Sequence, residues 1–167
     1  MKKAEAFAPR AAAIYARNGG VPLSVQSACR VTYETDACVS VMFDVTVFDG
    51  KKSAVRRYGT LWDKKSGRII GKNALFVGGY ASSRAIIRQV WEAVREAVGH
   101  AGVSETGKRC GVSLSRCCIV PHGAAFFFPQ GTFVNAEGGI PLFVVPKEKI
   151  RPYMKYCPWE NEPIINR

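Results

Sequence analysis

Apolar and polar positions alternate with a period of two through the first half of the chain, broken at short intervals by turn residues. The clearest run is Cys38 to Phe48, which places Val39, Val41, Phe43, Val45 and Val47 on one face and Ser40, Asp44 and Thr46 on the other. β-Branched residues at that spacing predict a half-buried strand. Leu23 to Glu34 predicts a strand before it, with Val25, Cys29, Val31 and Tyr33 alternating against Gln26, Arg30, Thr32 and Glu34, and Thr35-Asp36 is placed for a tight reversal. Asp49-Gly50 is a hairpin signal, because the favoured two-residue turn needs positive φ at both central positions. A third strand follows from about Ser53 to Asp63, and Lys64-Lys65-Ser66-Gly67 turns it into a short fourth at Arg68 to Ile70. Consecutive short connections require antiparallel pairing, since parallel neighbours need long crossovers.

The period changes to three and four in two places. Lys3 to Asn18 carries a stripe of Phe7, Ala8, Ala11, Ile14 and Tyr15, tolerates Pro9 in its first turn and stops at Asn18-Gly19-Gly20. This predicts an N-terminal helix over residues 1–20, a lid for the sheet. Ser82 to His100 is the principal helix: Ile86, Ile87, Val90, Trp91, Val94 and Val98 line one side, with Ser82 or Ser83 as N-cap and Gly102 as the stop. Its broad stripe predicts that it covers the apolar face of the sheet. Gly111 to Val120, Gly123 to Phe133 and Ile140 to Val145 read as further strands, with a turn at Pro129-Gln130-Gly131. Pro146 opens a helical turn through about Tyr153, and residues 155–167 form an irregular tail expected to lie over the surface or to be partly ordered. The fold class is α+β: an antiparallel meander with one long helix and an N-terminal helix on one face, in a single domain over residues 1–167.

Composition fits that reading. A chain of 167 residues with 47% apolar and 22% charged content builds one core without a disulfide or metal staple. Its six cysteines, Cys29, Cys38, Cys110, Cys117, Cys118 and Cys157, form no paired Cys-x-x-Cys module. No secretory or membrane-spanning segment is evident either, so free thiols in a reducing, cytoplasmic setting are expected. Lysine and arginine number 24 against 13 aspartates and glutamates, a formal charge of +11. Such a field attracts anionic partners, and it also serves plain solubility.

Within the strand region, the run CVSVMFDVTVFDGKKSAVRRYGTLWDKKSGRIIGKNALF resembles the RsiV-like domain of unknown function, found in anti-sigma factors of the RsiV type and beside peptidoglycan deacetylase domains. Trp62-Asp63 stands at that family's aromatic-Asp pair, Ser66-Gly67-Arg68 at its turn and Asn73-Ala74-Leu75-Phe76 at its loop. Ile150, Pro152 and Tyr153 match its closing motif. The resemblance spans Val31 to Tyr153 and implies a recognition module for a protein or a cell-wall-related ligand. Two departures bear on function. The family's histidine-containing segment after the second strand is replaced here by Asp49 to Ala54, and Lys149 stands where an acidic residue is usual.

Candidate chemistry is sparse. Cys117 or Cys118 with His122 is a conceivable thiol pair, but alternation sends the two cysteines to opposite faces, where buried thiols are inert. His100, at a helix end, has no ligand spacing around it. Asp49 and Asp63 are simplest as turn residues. Gly78-Gly79 and Gly138-Gly139 lack the Lys-Ser/Thr of a nucleotide cradle. No spacing calls for a metal or cofactor. The sharpest candidate is basic: Lys51, Lys52, Arg56, Arg57, Lys64, Lys65 and Arg68, with Lys72 close behind, interleaved with Tyr58 and Trp62. Together they are a candidate polyanion or nucleic-acid surface, against the blander reading of charged turns guarding a sheet edge. Function therefore reads first as non-catalytic recognition, then as polyanion binding, then as a thiol enzyme.

Overall fold

The computed structural model describes residues 13, 15–17, 19–20, 24–48, 52–99, 111–133 and 140–160. Most of the N-terminal helix, the Asp49-Gly50 turn with Lys51, His100, Cys110, Gly138-Gly139 and residues 161–167 lie outside them.

The meander forms as its alternation predicts. Strands β1 (Ser24–Glu34), β2 (Cys38–Phe48), β3 (Ser53–Asp63) and β4 (Arg68–Ile69) make a four-stranded antiparallel sheet in sequence order. After a short helix α1 (Lys72–Leu75), helix α2 runs over Tyr80–Val98. A second antiparallel sheet orders β5 (Cys117–Val120), β6 (Gly123–Phe127) and β7 (Leu142–Pro146). Helix α3 (Lys147–Ile150) and a 3-10 turn (Arg151–Tyr153) follow, where Pro146 was expected to open a helical turn. The class is α+β with antiparallel sheets.

Three details depart from the sequence expectation. First, α2 packs on β7 and α3 rather than on the four-stranded sheet. Its buried stripe, Ile86, Val90 and Val94, joins Phe126, Phe128, Phe143 and Val145 in the main core. Trp91 tilts over Phe128 at 5.8 Å, and Phe133 and Phe143 meet the same ring edge-on. Gly79 and Gly99, not a serine and Gly102, flank the helix, each with positive φ.

Second, the face of β2 turned to the interior is the one bearing Cys38, Ser40 and Met42, all buried. Strand β5 lies across this face, and its backbone comes so near that a Cβ at Gly59 would collide with the Cys117 carbonyl. Small residues here permit a contact that valines would hold apart. The buried Ser40 hydroxyl accepts from Ile119 N–H at 2.9 Å, supplying the partner that the amide needs out of water. A bulge between Val31 and Tyr33 turns Tyr33 inward as well, off the face it would share with Val31 by strict alternation.

Third, the segment after residue 155 is partly anchored. Pro158 and Trp159 are buried, Trp159 Nε1–H donates to Val120 O at 3.0 Å, and Tyr33 O–H reaches Pro158 O.

Candidate recognition surface

Because β2 and β3 pair residue for residue from Cys38↔Asp63 to Phe48↔Ser53, side chains opposite one another share a face. The outer face therefore carries Val39, Val41, Phe43, Val45 and Val47 beside Trp62, Thr60, Tyr58, Arg56 and Ala54. From β1 it takes Val25, Ser27, Cys29 and Val31. Among the described residues no helix or strand packs over it. Val25, Val31, Tyr58 and Ile69 are each about half exposed or more, at 58, 54, 49 and 55%. A contiguous apolar surface of this kind marks an interaction site more often than a scattered exposed valine does.

The basic candidates do not gather in one place. Lys52 and the Lys64-Lys65-Arg68 turn lie at opposite ends of β3, an eleven-residue strand, and so about 33 Å apart. Arg56 projects from the outer face and is exposed, whereas Arg57, one residue on, projects from the inner face. There Arg57 holds Asp44 through two parallel bonds of 2.6 and 2.7 Å and donates a third to Ile140 O at 3.0 Å. The pair is directly cross-strand and its arginine is 15% exposed. Hydrogen bonding from the guanidinium holds the Asp44 carboxyl below its ordinary range, against the opposing effect of burial. Lys64 is paired with Glu34 at 2.6 Å. Lys65, Arg68 and Lys72 are exposed, and Lys51 is outside the described residues. Of the aromatic candidates, Tyr58 is open on the outer face, while Trp62 is half-buried and donates to Thr60 Oγ1 at 2.9 Å.

The thiols are placed for packing. Cys117 belongs to the main core and Cys118 to the small cluster with Met42 and Ala125 on the other side of the strand. Desolvation pushes the Cys117 thiol up to about 12 and raises Cys118 too, the reverse of what an activated thiolate requires. Cys29, Cys38, Cys117, Cys118 and Cys157 are all unpaired. His122 is exposed in the β5–β6 turn. Asp63 is a turn residue, accepting from Ser66 N–H and Oγ–H, and these bonds lower its carboxyl. No cluster of three metal-ligating side chains occurs among the described residues, and no helix there is long and apolar enough to cross a membrane.

Sequence reasoning missed the free side of β3. Strand β4 pairs only with Trp62 and Asp63, and Ile70 N–H adds one bond to Leu61 O, so among the described residues the rest of that edge has no neighbouring strand. The signal was available: the last strand before Gly71 is too short to cover an eleven-residue partner.

No family model and no curated protein sequence matches the chain. Its fold is similar to that of two solved structures. One is a DUF3298 family protein from Pseudomonas aeruginosa PAO1, with a TM-score of 0.59 and 14% identity, covering 81% of this chain and 63% of that one. The other is a DUF3298 family member from Bacteroides fragilis NCTC 9343, with a TM-score of 0.63 and 14% identity, covering 85% and 60%. The chain thus spans less than two thirds of either. At this identity the likeness carries the fold alone.

Proposed function

We propose that the chain is an RsiV-like recognition module that holds a protein or cell-wall-related ligand against the outer face of its four-stranded sheet. The observation that supports this reading is the apolar outer surface on which Val25, Val31, Tyr58 and Ile69 are about half exposed, with Val41 and Phe43 half-buried between them. A sheet face so rich in valine is costly to leave in water, and burial against a ligand recovers about 25 cal/mol for each Å² covered. Site-specific photo-cross-linking in cells tests it. A benzophenone side chain at Val41 or Tyr58 captures a discrete partner, and one at Arg88 on the wet side of α2 does not. Equal capture at all three positions sinks the reading. For a cell-wall ligand, the protein co-sediments with isolated sacculi, and Val41→Lys releases it.

A second reading, polyanion binding, rests on Arg56 standing on that face diagonally from the Tyr58–Phe43 cross-strand pair, a cation beside two stacking platforms. Retention on a single-stranded oligonucleotide that falls steeply with salt and is lost in Arg56→Glu favours it. No retention at low salt removes it.

A further inference from the structure

The free side of β3 has a defined hydrogen-bonding phase. Val55 N–H points outward to Gln130 Oε1 at 3.4 Å, and Leu61 O points the same way to Ile70 N–H at 2.7 Å. Backbone groups alternate sides along a strand, so Arg57 and Gly59 also present both N–H and C=O outward, between those two bonded ends. Among the described residues no backbone bond is made to them from that side. The Gln130 contact is long for a hydrogen bond. It occupies the place where the carbonyl of a further strand would sit.

A groove runs along this edge. Beside Ala54 to Tyr58 it has a volume of about 590 Å³, and a separate, smaller hollow of about 150 Å³ lies beside Gly59 to Leu61. The described residues lining the two include Arg56, Arg57, Arg116 and Lys72, and no aspartate or glutamate. Arg57 is already committed to Asp44, which among the described residues leaves Arg56 and Arg116 as the charged lining of the groove and Lys72 as that of the smaller hollow. An edge exposed in this way pairs with any extended chain of fitting charge.

We propose that the Ser53–Leu61 edge of β3 docks an extended, acidic segment of a partner protein as an added strand. Its main chain bonds to Arg57 and Gly59 and displaces Gln130 from Val55, while its carboxylates meet Arg56, Arg116 and Lys72. This goes beyond the recognition reading, since it uses the sheet edge rather than the outer valine face, with Arg56 at the border of the two.

The test uses the full chain and a nonapeptide of alternating glutamate and valine, followed by amide hydrogen exchange resolved to single residues. The amides of Arg57 and Gly59 become protected, Gln130→Ala leaves binding intact, and the double variant Arg56→Glu, Arg116→Glu weakens binding by about tenfold or more, as charge reversal in a docking groove does. A lysine-valine peptide of the same length does not bind. Absence of binding at millimolar peptide overturns the proposal. So does binding that leaves those two amides unprotected, or equal protection by a single-stranded oligonucleotide. If cross-linking from Val41 still captures a partner in that case, the edge proposal fails and the recognition reading stands.

Discussion

Strands β2 and β6 make opposite use of apolar residues. β2 has the strongest alternation in the protein, yet its valine face is only half-buried and its fully buried face holds Cys38, Ser40 and Met42. β6, Gly123–Phe127, has no alternation and every residue of it is buried. It lies between β5 and β7 with α3 against it, while α2 covers β7. Glycine at 123 lets the Val145 carbonyl approach where a Cβ would collide. The difference shows that periodicity fixes which side chains share a face, whereas steric approach decides which face is covered. Ser40 of β2 and Gly59 of β3 admit the β5 backbone. The valines on the reverse side serve β propensity and, on the reading above, recognition.

Substitution at β6 has the largest expected effect. Phe126→Ala empties a site that is 1% exposed and stacks on Phe76, and urea denaturation should register a loss of about 3–5 kcal/mol. Next, Gly59→Val drives a side chain into the Cys117 carbonyl. A loss of about 3 kcal/mol is expected, since backbone must yield. A neutral result would show that β5 does not lie on β3 this closely. Ser40→Ala removes the acceptor of Ile119 N–H in a fully buried setting and should cost about 2 kcal/mol by the same assay.

A smaller effect comes from the Asp44–Arg57 pair, whose aspartate is 30% exposed. After allowance for screening, Asp44→Asn is expected to cost about 1 kcal/mol at neutral pH. The pH dependence has a definite sign. The folded-state carboxyl titrates below its unfolded value, so the contribution is fully present above about pH 4 and is lost as pH falls through the depressed folded value. Wild type and Asp44→Asn should therefore converge in stability on acidification. A gap that widens would contradict the pairing.

Much of the fold was legible in residues 24–70, because each strand there has its own alternation and each reversal its own turn chemistry. Three things were not. Strands β5 and β6 are short and buried on both sides, so their sequence lacks a period and their ends were overestimated. The bulge that turns Tyr33 inward has no local signature, and the core role of Trp159 depends on a carbonyl 39 positions away. Of the candidate site, the alternation showed that Arg56 and Arg57 take opposite faces and left open which of them, and whether Tyr58, is exposed. The commitment of Arg57 to Asp44 emerges only when the strands are paired, whereas the uncovered edge of β3 was signalled by the shortness of β4.

The inverted use of β2 is the claim on which the outer surface depends, and matched threonine substitutions on its two faces measure it directly. Threonine keeps β propensity while placing a hydroxyl where a methyl or thioether was. In urea denaturation, Val41→Thr combined with Val45→Thr should shift stability by no more than about 0.5 kcal/mol. Met42→Thr, at a position 3% exposed between Cys118 and Ala125, should cost about 2 kcal/mol or more. The reverse order, with the valine pair costly and Met42 tolerant, would mean that the valines form the core face and that no open recognition surface exists there.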